Sequence, residues 1–364
     1  MSTTRPGGIA MIVTMLMLTA CQPSVPASSA TTSEAPPAAP ASVGSSAAPS
    51  GSASQSAEIG PGESWIVYQG APQGLSLARP DGSGNHVILG PPGEQLHPDW
   101  SPDGSRIAYV QATQAASDIW ITDLQGAAAK PLVAKDPAEL AGLFWDNPAW
   151  SPDGSQLATI AYEGDPQRSL PVRSLLAIVD VQSGDVEVAG ELASADEGLH
   201  SFPRWSPDGS AVVISHDRFS GDGYLGGNIA IIRRAEAGWS APDTITDVVA
   251  SPRGDWHPTD DLIVFCTNDV GGVQVTDEPS ELFTVRSDGT GLTQITQFGA
   301  GAERASQPTW TSDGRIIFTY ITGNDDERLN VAFINADGSG REIALGPDLV
   351  GIGNRPHPRL RPVG

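Results

Sequence analysis

A six-residue phrase, Trp-Ser-Pro-Asp-Gly-Ser, occurs three times, at Trp100–Ser105, Trp150–Ser155 and Trp205–Ser210. Two degenerate copies follow at Trp256–Asp261 and Trp310–Arg315. The tryptophans Trp100, Trp150, Trp205, Trp256 and Trp310 are separated by 50, 55, 51 and 54 residues. A period near fifty marks a supersecondary unit that is copied along the chain and buries its apolar face against its neighbours. Within the phrase, proline presets φ for a type I turn, aspartate bonds to nearby backbone N–H groups, and glycine takes the left-handed exit.

The order inside each unit is constant. A proline stands two residues before the tryptophan (Pro98, Pro148, Pro203, Pro308), with Gly254 as the exception. After the turn comes an apolar strand (Ile107–Val110, Leu157–Ile160, Val212–Ile214, Leu262–Phe265, Ile316–Phe318), then a loop of variable length. A second strand follows (Ile119–Ile121, Leu176–Val179, Ile229–Ile232, Leu282–Val285, Val331–Ile334), then a polar turn and a short strand such as Leu292–Ile295 or Glu342–Leu345. Four short strands per unit describe a propeller blade. With 41 Gly, 31 Pro and only 17% charged residues, a long helical protein is excluded in favour of an all-β one. The indoles are expected to fill the gaps between neighbouring blades.

The two ends complement each other. Trp65–Tyr68 matches the strand that follows a Trp turn, yet no such turn precedes it. Pro356–Leu360 matches the segment that precedes one. Sharing one sheet between them leaves no free edge. Leu75–Ala78 and His86–Leu89 are then expected to open the first blade. The expectation is a six-bladed β-propeller over residues 61–364, closed by its N- and C-terminal strands.

Ahead of this domain, Ile9–Ala20 is apolar or threonine throughout, too short to cross a bilayer as a helix. It ends in Leu18-Thr19-Ala20-Cys21, which resembles the bacterial lipobox. The resemblance implies that residues 1–20 are a lipoprotein signal peptide, that Cys21 carries the lipid, and that the protein is extracytoplasmic and held to the cell membrane. Residues 21–60 are nearly all Ser, Ala, Pro, Thr and Gly after the cysteine and read as a disordered tether. The second cysteine, Cys266, follows an apolar run and reads as a buried small hydrophobe.

Acidic residues outnumber basic ones 43 to 20, a formal charge of −23, which excludes phosphate backbones and hence nucleic acid as a partner. No cofactor is expected. Calcium is the one candidate ion, at Asn324-Asp325-Asp326-Glu327, although that run lacks the spacing of a dedicated calcium loop. The Trp-turn loops and the Asp-Gly loops form one face of the disc. The other face carries the variable loops, Ala161–Ser174, His216–Asn228, Thr267–Ser280 and Thr322–Asn330, joined by Lys135–Asn147 and Glu191–Phe202. Recognition is expected there. Its candidate residues are Glu163, Asp165 and Arg168; Asp217, Arg218, Asp222, Asp269, Asp277, Glu278, Asp325, Asp326 and Glu327; and the aromatics Phe144, Trp145, Phe219 and Tyr224, expected to be exposed.

The Pro-x-Trp-Ser-Pro-Asp-Gly-Ser-x-Ile-Ala-Tyr pattern, with Asp118–Asp123 and Asp288–Thr293 after it, resembles the TolB-type β-propeller repeat across residues 61–364. That family includes envelope proteins, propellers attached to prolyl-peptidase-like hydrolases, and many surface proteins. No Gly-x-Ser-x-Gly pentapeptide occurs here. The expected function is therefore non-enzymatic: a monomeric, surface-tethered propeller that binds a protein, peptide or glycan in the envelope. The alternative is a small-substrate hydrolase or lyase in the central channel, served by a cation and some of His97, His200, His216, His257 and His357. The like positions of His97 and His357 near the Trp turns favour packing for that pair.

Overall fold

Six antiparallel sheets of four to five strands account for nearly all the regular structure. The computed structural model describes residues 59–70, 74–113, 116–132, 140, 142–164, 171–194, 198–220, 223–247, 253–267, 269–270, 273–274, 280–298, 303–323, 328–351 and 355–363. Cys21, the signal segment and the tether up to residue 58 lie outside the described residues.

Blade one comprises Glu94–Trp100, Arg106–Ala112, Ser117–Asp123 and Lys130–Pro131; blade two comprises Phe144–Trp150, Gln156–Glu163, Arg173–Asp180 and Val186–Ser194. Blade three comprises Leu199–Trp205, Ala211–Ser220, Gly223–Ala235 and the outer pieces Gly238–Trp239 and Asp243–Thr244. Asp255–Trp256, Ile263–Thr267, Glu281–Val285 and Thr293–Gln294 make blade four; Glu303–Trp310, Arg315–Thr322, Leu329–Asn335 and Glu342–Leu345 make blade five. Blade six is composite. Arg359–Leu360 pairs with Ile66–Gly70 in the register Ile66↔Leu360 and Val67↔Arg359, and Gly74–Ala78 and His86–Leu89 continue outward from there. The shared closing sheet is thus as expected, with one correction. Leu75–Ala78 and His86–Leu89 do not open blade one; they complete blade six, because Gly74–Ala78 pairs directly with Ile66–Gly70.

The four repeat turns that keep the glycine close as the sequence predicts. In the first copy Gly104 N–H donates to Ser101 O (2.8 Å) with Gly104 at φ 63°. Ser101 Oγ donates to Asp103 Oδ1 (2.6 Å) and accepts Arg106 N–H (2.9 Å). The same bonds recur at Ser151 and Ser206. These hydroxyls hold the carboxyls of Asp103, Asp153 and Asp208 below the usual carboxylate range.

The core is six clusters, each lying between two adjacent blades. Trp100, Trp150 and Trp205 are buried in three of them, and Trp256 and Trp310 are half-buried against two more. Trp100 Nε1 donates to Arg359 O (3.1 Å) and Trp205 Nε1 to Ala149 O (3.2 Å), so the indole reaches the innermost strand of the preceding blade. Cys266 is buried in the cluster between blades four and five, as a small hydrophobe would be.

Candidate functional site

The innermost strands converge on the axis, and those of blades one, two, three and five are bent just before their tryptophans. The register shifts between Leu96 and Asp99, Asp146 and Ala149, Ser201 and Arg204, and Ser306 and Thr309. Within these bulges His97, Asn147, Phe202 and Gln307 take φ between 50° and 56°, and His357 in blade six takes 44°. Non-glycine residues adopt this region rarely, and only where the surroundings over-determine it. All five stand three residues before a tryptophan, or before Leu360 in its place, and Arg253 occupies the same position in blade four.

These six side chains close the axis. Phe202 meets the rings of His97 (5.8 Å) and His357 (6.3 Å), which belong to blades one and six, while His97 and His357 lie 4.4 Å apart. The Arg253 guanidinium lies over Phe202 at 4.0 Å. His97 Nδ1 donates to Asp146 Oδ1 (2.5 Å), Gln307 Nε2 donates to His357 Nε2 (2.5 Å), and Asn147 Oδ1 accepts Phe202 N–H (3.2 Å). Burial, with His97 and several guanidiniums nearby, holds the His357 imidazole well below its ordinary pKa and therefore neutral. His97 and His357 are thus buried in like positions and in ring contact with each other.

One tier nearer the Trp turns, the residues preceding the tryptophans form a charged group. Arg204 pairs with Asp99 (2.9 Å) and approaches Asp255 (4.0 Å), and Arg359 reaches Asp99 (3.4 Å). Asp99 accepts Trp150 N–H (2.9 Å) and Asp255 accepts Trp310 N–H (2.7 Å), which links each carboxylate to the next blade. Burial pushes the Asp255 carboxyl up to about 7 against the pull of Arg204.

On the variable-loop face several expectations need correction. Trp145, expected to be exposed, is 1% exposed and packs between blades one and two. Phe219 is also buried, at 7% exposure, and Phe144 is half-buried, stacked on Tyr162 at 5.6 Å. The physical reason is strand length. His216–Asn228, expected to be a loop, is a hairpin that continues to Ser220↔Gly223, so its side chains alternate into the sheet faces. Asp217 is buried by the same hairpin and accepts Ser201 Oγ–H (3.2 Å). Arg218 is exposed, and Glu163 is half-buried in a pair with Arg173 Nε (2.8 Å). Tyr224 and Asp269 lie on strands, with the placement of their side chains outside what is described. Asp165, Arg168, Asp222, Asp277, Glu278, Asp325, Asp326 and Glu327 lie outside the described residues. Among the described residues, no group of three or more His, Cys, Asp or Glu is placed to hold a metal ion.

No family model matches the chain. Among solved structures, the fold is similar to TolB from Acinetobacter baumannii at TM-score 0.61 and 17% identity, over 82% of this chain and 66% of that one. It is similar to a putative TolB from Agrobacterium tumefaciens at TM-score 0.53 and 15% identity, over 83% and 99%. Puromycin hydrolase gives TM-score 0.54 and 16% identity, over 78% of this chain and 45% of the enzyme. This chain spans just under two thirds of the first of these proteins. What is shared at such identities is the fold, a six-bladed β-propeller distantly related to those of TolB.

Proposed function

We propose that this protein is a non-enzymatic binding propeller of the cell envelope, anchored through a lipid on Cys21, spaced from the membrane by residues 22–60, and engaging a protein, peptide or glycan through its variable-loop face. The observation that carries the reading is the closed axis. Phe202, His97 and His357 meet across it, with His97 held by Asp146 and His357 by Gln307, so a ligand is met at a face and not drawn through a channel. One face is built from near-identical six-residue turns. The other joins the second and third strands of each blade by connections that differ from blade to blade, from 71–73 in blade six to 268–280 in blade four. Variable connections on a rigid ring are where specificity is built.

The experiment compares partner recovery from solubilised envelopes by the wild-type protein and by a variant in which 165–170, 275–279 and 324–327 are each replaced by Gly-Ser. Recovery falls sharply if those loops make the face; equal recovery defeats the reading. For the anchor, Cys21→Ser is expected to abolish palmitate labelling and to release the protein from the membrane fraction. A Cys21→Ser protein that still labels and sediments with membranes would rule the anchor out.

A further inference from the structure

Three of the five repeat tryptophans, Trp150, Trp205 and Trp310, are covered by a guanidinium or a ring; of the other two, Trp100 is buried and Trp256 is left half-exposed. The residue six positions beyond Trp100 is Arg106, whose guanidinium lies over the Trp150 ring at 4.6 Å. Six beyond Trp150 is Gln156, whose Oε1 accepts Arg234 Nη2–H (2.6 Å). That guanidinium lies over Trp205 at 5.5 Å and Trp239 at 4.4 Å. At the junction of blades four and five the His257 ring meets Trp310 edge-on at 4.6 Å. Six beyond Trp205 is Ala211, too short to reach across, and among the described residues no ring or guanidinium lies on Trp256.

The space left there is a cavity of about 320 Å³ on the Trp-turn face, lined by Ala211, Trp256, Asp208, Asp260 and Asp261 together with Arg233. It forms where the fourth turn departs from the repeat: the glycine and the final serine of the phrase are replaced by Asp260 and Asp261. Arg233 is paired with Asp243 (2.8 Å) and donates to the backbone carbonyl of Ser287 at the cavity wall (3.1 Å), so its charge is already partnered. The result is a half-exposed indole facing a space with carboxylates at its rim.

We propose that this cavity receives the guanidinium of an arginine side chain from a basic partner segment, seated on Trp256 as Arg106 is seated on Trp150 and Arg234 on Trp205. A planar cation gains from the indole quadrupole and from carboxylates in its plane at the same time, and it fits where a neutral apolar group would leave those carboxylates facing it. The molecule's charge of −23 adds long-range attraction for such a partner. This site lies on the opposite face from the variable loops and is independent of them.

The test titrates the whole chain with the peptide acetyl-(Arg-Gly)₃-amide, and separately with its citrulline counterpart, at about 150 mM salt so that diffuse attraction is screened. Ala211→Arg places the missing cover on Trp256. Ala128→Arg, at an exposed turn of blade one, changes the charge equally and leaves the cavity alone. The arginine peptide is expected to bind wild type and Ala128→Arg alike, about tenfold more weakly to Ala211→Arg, and to outbind the citrulline peptide by a similar factor, the size of a desolvated cation–π contact. Should Ala211→Arg fail to fold, Asp260→Asn/Asp261→Asn, at exposed positions, is expected to weaken binding several-fold while Ala128→Arg does not. Equal affinity for wild type and the cavity variants, equal affinity for the two peptides, or no binding at millimolar peptide overturns the proposal.

Discussion

Replacing Arg361 tests how the ring is held shut. The terminal strand contributes only two residue pairs to blade six, Ile66↔Leu360 and Val67↔Arg359, supplemented by Gln69 N–H to Pro356 O (2.7 Å) and Arg361 N–H to Trp65 O (2.7 Å). The buried Arg361 side chain adds three bonds to backbone carbonyls. Nε donates to Gly104 O (2.8 Å) in the first Trp turn, and Nη1 donates to Gly60 O (2.9 Å) and Glu63 O (3.2 Å). It therefore ties the end of the chain both to blade one and to the segment leading into blade six. Hydrogen bonds to a charged donor contribute about 1.5–3 kcal/mol each, and two of these acceptors lie where water can partly replace the donor. Arg361→Ala is accordingly expected to cost about 3 kcal/mol. A domain of this size loses about 2 °C per kcal/mol, so the melting temperature in calorimetry should fall by about 6 °C. Arg361→Lys keeps the charge but cannot span three acceptors, and should fall between. Protease cleavage near residues 59–70 should accelerate in step. A loss below about 1 kcal/mol for Arg361→Ala, with unchanged proteolysis, would refute the claim that this guanidinium fastens the closure.

Asp255 has a folded pKa of about 7 against about 3.9 in an unfolded chain, so the folded state binds more protons between those values. Its contribution to stability is complete below about pH 4 and is lost as pH rises through 7; Asp255→Asn, which still accepts Trp310 N–H, should flatten the dependence of the urea midpoint on pH between 5 and 8. Trp205→Ala removes a buried ring from between blades two and three and should cost about 3–5 kcal/mol in urea unfolding, whereas an effect under about 1 kcal/mol would place the ring outside the core. Ser151→Ala leaves Gln156 N–H without its hydroxyl acceptor and takes one of two hydroxyl donors from the Asp153 carboxylate, and should cost about 1–2 kcal/mol by the same measurement.

The repeat turn was legible because its chemistry is local. Ser101, Pro102, Asp103 and Gly104 satisfy one another within the turn, and the copies recur in register. The shared closing sheet was legible because Trp65–Tyr68 and Pro356–Leu360 are complementary fragments of that register. The candidate face was less so. Trp145 and Phe219 stand next to polar residues that suggested loops, but the strands run further than their apolar cores, and strand alternation turns both rings inward. The axial residues were missed as a set because His97, Asn147, Phe202, Arg253, Gln307 and His357 share no chemistry. Aligning the chain on its tryptophans and reading the position three before each would have brought them together.

The amino-acid order alone determined the unit, its number and its closure, because a turn of six residues and a wedge of one indole are specified by neighbours in the chain. Only the tertiary structure decided what stands on the axis and where a tryptophan is left uncovered. Those contacts join residues on different blades, far apart in the chain, such as His97 with Asp146 and Arg106 with Trp150, and they exist only once the six blades have been drawn into a ring.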